Sequence, residues 1–162
     1  MMKHVIKKIL GEEFDDLQWI KDVSSEPLPM NQRTKVSITE LIDSQLKYQP
    51  DEEFLTYLEY DDYVEYEEGG GYVWVNTPNI YDYEIADFLR SIDNNEWVYV
   101  DDYVIEQNLE YQNEEMFMIF NKKKGNRFFG LFYIHSYHEG IIDGDSDLFE
   151  IYPKKVTITT WV

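Results

Sequence analysis

The chain has 162 residues, and 33 acidic against 14 basic side chains give it a formal net charge of −19. This charge disfavours direct binding to nucleic acid or to an anionic membrane surface, because both are themselves negatively charged. Hydrophobic residues make up 43% of the chain and aromatic residues 17%, which excludes an acidic disordered segment and predicts one folded domain over residues 1–162. The absence of cysteine excludes disulfides and thiol chemistry.

Helices are predicted in the first segment, residues 1–48, whose net charge is only −1. Apolar residues at helical spacing indicate two helices, over residues 5–10 and 12–23. Lys7 and Lys8 interrupt the apolar block that a secretory signal requires, so we expect no export signal and a cytoplasmic location.

A more clearly marked helix follows the proline-containing stretch at residues 24–29. Ser37 and Glu40 have the spacing of a capping box, in which each side chain bonds a free backbone N–H of the first turn. Apolar residues keep helical spacing as far as Leu46, and we expect the helix to end before Pro50.

The second segment, residues 49–120, holds the entire charge imbalance. It contains twenty acidic residues, a single basic residue, Arg90, and ten of the fourteen tyrosines, whereas residues 121–162 have a net charge of +1. Acid that serves only solubility is expected to be scattered over the whole chain, so this concentration favours a specific surface. The alternative is a solvated face that only keeps the protein soluble, at the cost of mutual repulsion among its carboxylates.

The acidic segment is predicted to fold as a helix, a hairpin, a second helix and a strand. Acidic residues at 51–53 precede an apolar face and indicate a short helix. The glycines at residues 69–71 separate two strand-like stretches, so we place them at the tip of a β-hairpin. A further helix is expected to start at Thr77 and to continue to Ile92, followed by a strand at residues 97–100.

The third segment, residues 121–162, predicts an antiparallel sheet together with the strand that precedes it. Strands are indicated at residues 116–121, 127–135, 148–152 and 156–162, with Gly125 in the first turn. Residues 127–135 are almost continuously apolar, which predicts a central strand buried on both faces. The fold class is therefore α+β, with N-terminal helices followed by a mainly antiparallel β-sheet that ends in a C-terminal meander.

Sites for chemistry are weakly marked. Asp143, Asp145 and Asp147 have the spacing that opens a calcium loop, but Leu148 and Lys154 stand where that loop needs glycine and glutamate. A polar turn explains these aspartates better, and the glycines at 69–71 lack the ending of a phosphate-binding loop. We expect no catalytic site, no metal and no cofactor. The alternative is a hydrolase that uses carboxylates or a divalent metal, built on these three aspartates or on a subset of the acidic residues of the central segment.

The strongest functional signal is the mixture of acidic residues and tyrosines in the central segment. Tyrosines recur every third residue among carboxylates, and aromatic side chains of this kind are enriched at the centres of protein interfaces. We predict that these residues bind a basic partner. The predicted partner-binding residues are Tyr57, Glu59, Tyr60, Asp61, Asp62, Tyr63, Glu65, Tyr66, Glu67, Glu68, Asp101 and Asp102.

The composition resembles that of the acidic inhibitors carried by phages and mobile elements, some of which mimic DNA. This resemblance implies a non-enzymatic inhibitor of a basic protein that handles nucleic acid, such as a restriction nuclease or an RNA-guided nuclease. Twenty carboxylates correspond to the phosphates of about ten base pairs of duplex DNA. An immunity protein that neutralises a basic toxin is the alternative, and its physical chemistry is the same.

Overall fold

The computed structural model describes residues 29–59, 63–65, 71–76, 78, 80, 83–153 and 161. The helices within these ranges are a short 3-10 helix (Met30–Gln32), α1 (Ile38–Tyr48), α2 (Glu52–Glu59) and α3 (Tyr83–Arg90). None of these described helices is long and apolar enough to cross a membrane. The helices predicted at residues 5–10 and 12–23 and the strand predicted at 156–162 lie outside the described residues.

Helix α1 confirms the helix predicted after Ser37. The Ser37 side chain caps the helix by accepting a hydrogen bond from the backbone N–H of Thr39 at 3.3 Å, so the observed donor is Thr39 rather than Glu40. The helix ends at Tyr48, and Gln49 follows in extended conformation ahead of Pro50.

Six strands form one sheet in which every pairing is antiparallel. They are β1 (Lys35–Ser37), β4 (Trp97–Asn108), β5 (Asn113–Lys122), β6 (Arg127–Ser136), β7 (Gly140–Gly144) and β8 (Asp147–Ile151). The order is β1-β8-β6-β5-β4, and β7 pairs with the second half of β6 while β8 pairs with its first half. A separate hairpin consists of β2 (Tyr63–Glu65) and β3 (Tyr72–Trp74).

This architecture confirms the α+β class, the C-terminal strand meander and the prediction that residues 127–135 form a central strand. Side chains alternate along β6 between two apolar clusters on opposite faces of the sheet. The larger cluster packs under α1, α2 and α3 and includes Phe129 and Leu131. The smaller cluster lies on the other face and includes Phe117, whose ring lies over Gly130 because that position has no side chain.

Three features differ from the sequence-based expectations. The helix expected from Thr77 begins at Tyr83, because Ile80 is fully buried in a turn against the backbone of Gly144 before the helix starts. Strand β4 continues to Asn108, well beyond the predicted end at residue 100. Strands β1 and β7 were not predicted, because each is short. β1 pairs with β8, which is distant in sequence, and β7 pairs with β6 across a tight turn.

Candidate partner-binding surface

Helix α2 is fixed so that its carboxylates point away from the core. Asp51 caps the helix by accepting the backbone N–H of Phe54 at 3.0 Å. The Phe54 ring stacks on Phe88 of α3, with ring centroids 3.8 Å apart and planes 5° from parallel. The opposite side of α2 therefore exposes the acidic side chains of Glu52, Glu53 and Glu59.

The β2–β3 hairpin is attached to α1 through one carboxylate. Asp43 accepts hydrogen bonds from the Tyr63 hydroxyl at 3.1 Å and from Trp74 Nε1 at 3.0 Å. Burial of this group raises the pKa of Asp43 above its ordinary value, although both hydrogen bonds oppose that rise. Burial and the neighbouring carboxylate of Asp43 also raise the pKa of Tyr63 well above its usual range. These contacts fix the hairpin beside α2.

The helix and the hairpin together place carboxylates around one tyrosine. Tyr72 of β3 pairs in register with Glu65 of β2, so the two side chains share one face of the hairpin, and α2 with Glu52 and Glu59 packs against β2. Desolvation and these carboxylates raise the pKa of Tyr72 above its ordinary value. We call the set Glu52, Glu59, Glu65 and Tyr72 the hairpin acidic surface.

The predicted partner-binding residues in this region occupy different environments. Glu59 and Glu65 are exposed, and Tyr57 is 37% exposed with its ring stacked on Phe54. Tyr63 is only 6% exposed and belongs to the larger apolar cluster, so its ring packs the hairpin against the core. The remaining predicted residues of this stretch lie outside the described residues: Tyr60, Asp61, Asp62, Tyr66, Glu67 and Glu68.

Asp102 is a structural carboxylate in the folded chain. It is half-buried and accepts the Nε–H of Arg90 at 2.9 Å, the Tyr99 hydroxyl at 2.5 Å and the Tyr133 hydroxyl at 2.8 Å. Burial opposes the charge of Arg90, but the hydrogen bond and charge of Asp102 outweigh it and raise the pKa of Arg90. Burial and the same carboxylate raise the pKa of Tyr99 and Tyr133 well above their usual range. This network joins α3 to β4 and β6.

Asp101 lies on the opposite face of the sheet from Asp102. It is exposed and pairs in register with Ile119 of the smaller cluster, whereas Asp102 pairs with Met118 of the larger one. The helices cover the face that carries Met118. Asp101 is therefore separated from Glu59 and Glu65 by the sheet, and the acidic residues of the central segment do not all share one surface.

Most acidic residues of the central segment face solvent without a cation beside them. Within the described part of residues 49–120, thirteen acidic residues are exposed, and only Asp87 and Asp93 of these have an ion-pair partner, in Arg90 and Lys123. The exposed set is Asp51, Glu52, Glu53, Glu59, Glu65, Glu84, Asp87, Asp93, Glu96, Asp101, Glu106, Glu110 and Glu115. For the other eleven, no cation among the described residues offsets their mutual repulsion through an ion pair.

A second group of exposed residues, which the sequence analysis did not identify, lies at the end of the sheet formed by the β4–β5 and β6–β7 turns. Leu109 is 80% exposed, Tyr111 69% and Tyr137 51%. The two turns are held together because the backbone N–H of Tyr137 donates to Gln112 at 3.1 Å and the Tyr137 hydroxyl bonds Glu114. The sequence signal was the presence of large apolar residues among the polar residues of two turns.

The aspartates with calcium-loop spacing flank a turn between β7 and β8. Asp143 lies in β7, Asp147 begins β8, and Asp145 lies between them with its backbone N–H bonded to Phe132 at 3.1 Å. Burial and the charges of Asp143 and Asp147 raise the pKa of Asp145. Among the described residues, no three acidic, histidine or cysteine side chains are arranged to hold a metal ion.

Comparison of the chain with protein-family models, with curated proteins and with solved structures finds no match. The function is therefore inferred from the geometry and charge of the chain's own side chains.

Proposed function

We propose that this protein is a non-enzymatic inhibitor that acts in the cytoplasm by binding a basic, nucleic-acid-handling protein through the hairpin acidic surface. The partner class is a nuclease such as a restriction or RNA-guided enzyme. Carboxylates of the inhibitor occupy the cationic surface that otherwise contacts DNA phosphates. No cofactor and no direct contact with nucleic acid are required.

The observation that carries this proposal is the placement of exposed glutamates beside Tyr72: Glu65 pairs with Tyr72 across the hairpin, and α2, which carries Glu52 and Glu59, packs against β2. The three glutamates come from two separate elements, are exposed, and have no ion-pair partner among the described residues. The three negative charges repel one another in the free protein, and a cationic partner removes this repulsion when it binds. The neighbouring aromatic rings of Tyr57 and Tyr72 add apolar area of the kind found at binding hot spots.

The rigidity of the surface also favours a binding role. Asp43 fixes the hairpin and the stacked rings of Phe54 and Phe88 fix α2, so the two elements that carry the carboxylates are held in place before a partner arrives. A preorganised surface loses little side-chain and loop entropy on association. The resulting complex is expected to form fast at low salt and more slowly as salt increases.

The test is inhibition of DNA cleavage by a panel of restriction and RNA-guided nucleases at near-equimolar inhibitor. We expect at least one nuclease to be inhibited, with DNA displaced from it, and the inhibition to weaken between about 50 and about 200 mM salt. A panel in which no enzyme is inhibited at low salt, even with excess protein, would contradict the proposal.

Two variants with equal charge change locate the surface. The first combines Glu52→Gln, Glu59→Gln and Glu65→Gln, and the matched control combines Asp101→Asn, Glu106→Gln and Glu110→Gln. All six residues are exposed, and the control residues belong to β4 and the turn after it. We expect the first variant to lose inhibition and most of the salt dependence, while the control keeps both. Equal losses in the two variants would show that net charge alone matters.

A further inference from the structure

The face of the sheet opposite the helices carries the smaller cluster, and the centre of that cluster is buried. Phe117 and Ile119 are 0% exposed, Phe128 2% and Ile151 1%. The cluster consists entirely of residues from β4, β5, β6 and β8, and the described helices α1, α2 and α3 pack with the larger cluster on the other face. The described elements therefore do not supply the layer that covers the smaller cluster.

The neighbours of Ile119 within the sheet do not account for its burial. Ile119 pairs in register with Asp101 of β4, which is exposed, and with Gly130 of β6, which has no side chain. The ring of Phe117 fills the space over Gly130 and shields one flank. Neighbours in a sheet shield a side chain from its flanks and leave its outer end open. A fully buried Ile119 thus requires a layer above it.

The covering layer belongs to the chain itself. The cluster is buried within a single chain, so neither a second copy nor a partner provides the cover. The longest stretch outside the described residues is 1–28, for which the sequence predicts helices over 5–10 and 12–23. The short stretches between residues 60 and 82 join elements that pack with the larger cluster.

The described chain begins at the margin of the smaller cluster. The Thr34 carbonyl accepts the backbone N–H of Glu150 at 2.9 Å, and Arg33 Nη1 donates to the Glu150 carbonyl at 3.3 Å. The residues just before β1 therefore run beside the end of β8, next to Ile151 of the cluster. A helix over residues 12–23 is about 18 Å long, and the four strands from β8 to β4 span about 14 Å. Such a helix is long enough to cross the cluster.

We propose that residues 12–23 form a helix that packs across the smaller cluster. Phe14, Leu17 and Ile20 lie at helical spacing and supply the apolar stripe that faces the sheet. The sheet is then enclosed by helices on both faces, which buries the apolar side chains of β5 and β6 on each side. This packing is independent of the hairpin acidic surface, which lies with the helices on the opposite face.

The stretch at residues 154–160 is a poorer cover. Trp161, which follows it directly, is 93% exposed. A single extended stretch laid over the side chains of a sheet leaves its backbone N–H and C=O groups without partners, whereas a helix pairs most of them internally. Burial of the cluster under a helix from the N-terminal stretch therefore costs less unsatisfied backbone.

The test is a methyl NOE measurement on the full chain, labelled at its isoleucine and leucine methyl groups. We expect NOEs from Leu17 or Ile20 to Ile119, and none from these two to Ile42, which is buried in α1 on the other face. NOEs to Ile119 from Ile158 in place of these would overturn the proposal. So would NOEs that arise only between differently labelled chains in a mixed sample, because the cover would then be a second copy.

Protein variants give a second, independent readout. Leu17→Asp places a charge in the proposed contact, and Gln18→Asp is the matched control, since it makes the same charge change outside the apolar stripe. We expect Leu17→Asp to shift the Ile119 methyl resonance and to raise the fluorescence of anilinonaphthalene sulfonate several-fold, because apolar surface becomes exposed. The control is expected to change neither, and the Ile42 resonance reports that the helix-covered face is still folded.

Equal effects of the two variants, or an unchanged Ile119 resonance in Leu17→Asp, would refute the packing. Nuclease inhibition is expected to survive in both variants, since the hairpin acidic surface does not include these positions. Loss of inhibition in the control would contradict the proposed function and leave the packing result standing.

Discussion

The Arg90 Nε–H donates to Asp102 Oδ2 at 2.9 Å, and this one hydrogen-bonded ion pair ties the last residue of α3 to the edge strand β4. Only 16% of the Asp102 side chain is exposed, so its carboxylate depends on partners within the chain for the hydrogen bonds that water would otherwise supply. Arg90 is the single basic residue in the acidic segment. Its position shows that the segment uses its one cation to stabilise the fold.

Removal of this cation is expected to destabilise the protein. Arg90→Met leaves Asp102 half-buried with only the two tyrosine hydroxyls as partners. We expect the free energy of unfolding to fall by about 2 kcal/mol. This is less than for a fully buried ion pair, because Arg90 is 33% exposed. Urea denaturation measures the loss. Lys123→Met is the control, because its ion pair with Asp93 is exposed and long, at 3.5 Å. A loss no larger than that of the control would show that the pair contributes little.

The ion pair between Arg127 and Glu150 predicts a pH dependence of stability. Arg127 donates to both carboxylate oxygens of Glu150, at 2.8 and 2.7 Å, and these bonds lower the pKa of Glu150 below its ordinary value of 4.5. A carboxylate with a lowered pKa stabilises the fold above its unfolded-state pKa, and this contribution disappears as pH falls through the folded-state pKa. Glu150→Gln is therefore expected to cost about 1 kcal/mol at pH 7, a modest figure because Arg127 is 41% exposed.

Urea denaturation at neutral pH and again below the lowered, folded-state pKa of Glu150 checks this expectation. The difference between the wild type and Glu150→Gln should shrink at the acidic pH, because both then carry a neutral side chain at position 150. A difference that stays constant between the two conditions would mean that the stabilisation does not come from the charge of Glu150.

The contact between Gly130 and Phe117 predicts a large steric effect. A Cβ added at Gly130 would lie 1.7 Å from Cζ of Phe117, and Phe117 is fully buried in the smaller cluster. Gly130→Ala is expected to destabilise the protein by about 3 kcal/mol or to prevent folding, because overpacking forces the ring to move. Combining it with Phe117→Leu should recover part of the loss, as a double-mutant cycle measures. Simple additivity of the two substitutions would contradict the proposed clash.

The attachment of the hairpin to α1 predicts a separation of geometry from charge in partner binding. Tyr63→Phe keeps the net charge and the buried ring but removes the hydroxyl that donates to Asp43. We expect several-fold weaker inhibition of the nuclease that we propose as the partner, since the hairpin is held less firmly. The salt dependence is expected to stay unchanged, because the number of carboxylates is the same. The measurement is inhibition across a salt series. A changed salt slope would indicate that Tyr63 acts on the charges directly.

Local sequence patterns predicted the helices and strands whose apolar residues follow one regular spacing. The apolar run at residues 127–135 predicted the central strand β6, and the acidic turn before Phe54 predicted α2, because both signals are contained within a few residues. The β2–β3 hairpin was also predicted from its flanking strand-like residues, and pairing of Val64 with Val73 confirms it. These features depend on contacts between neighbours in sequence.

The placement of individual carboxylates and tyrosines was not predictable, because it depends on partners far along the chain. Asp101 and Asp102 interrupt the apolar pattern of β4, so the strand was predicted to end at residue 100; Asp102 is tolerated there through Arg90 and Tyr133. Tyrosines spaced by three predicted an exposed row, but Tyr63 reaches Asp43, twenty residues earlier, and is buried. Nothing in a local pattern distinguishes a carboxylate that binds a partner from one that holds the fold.

Strand β4 stands at the end of the sheet among the described strands, and beyond the bond from Tyr99 to Ile92 its outer edge has no backbone hydrogen-bond partner among the described residues. A second copy of the chain can pair its own strand with an exposed edge of this kind. Here the edge carries Asp101 and Glu106, so two copies that pair edge to edge must bring like charges into register. Self-association through β4 is thus opposed by the negative charges that the edge itself carries.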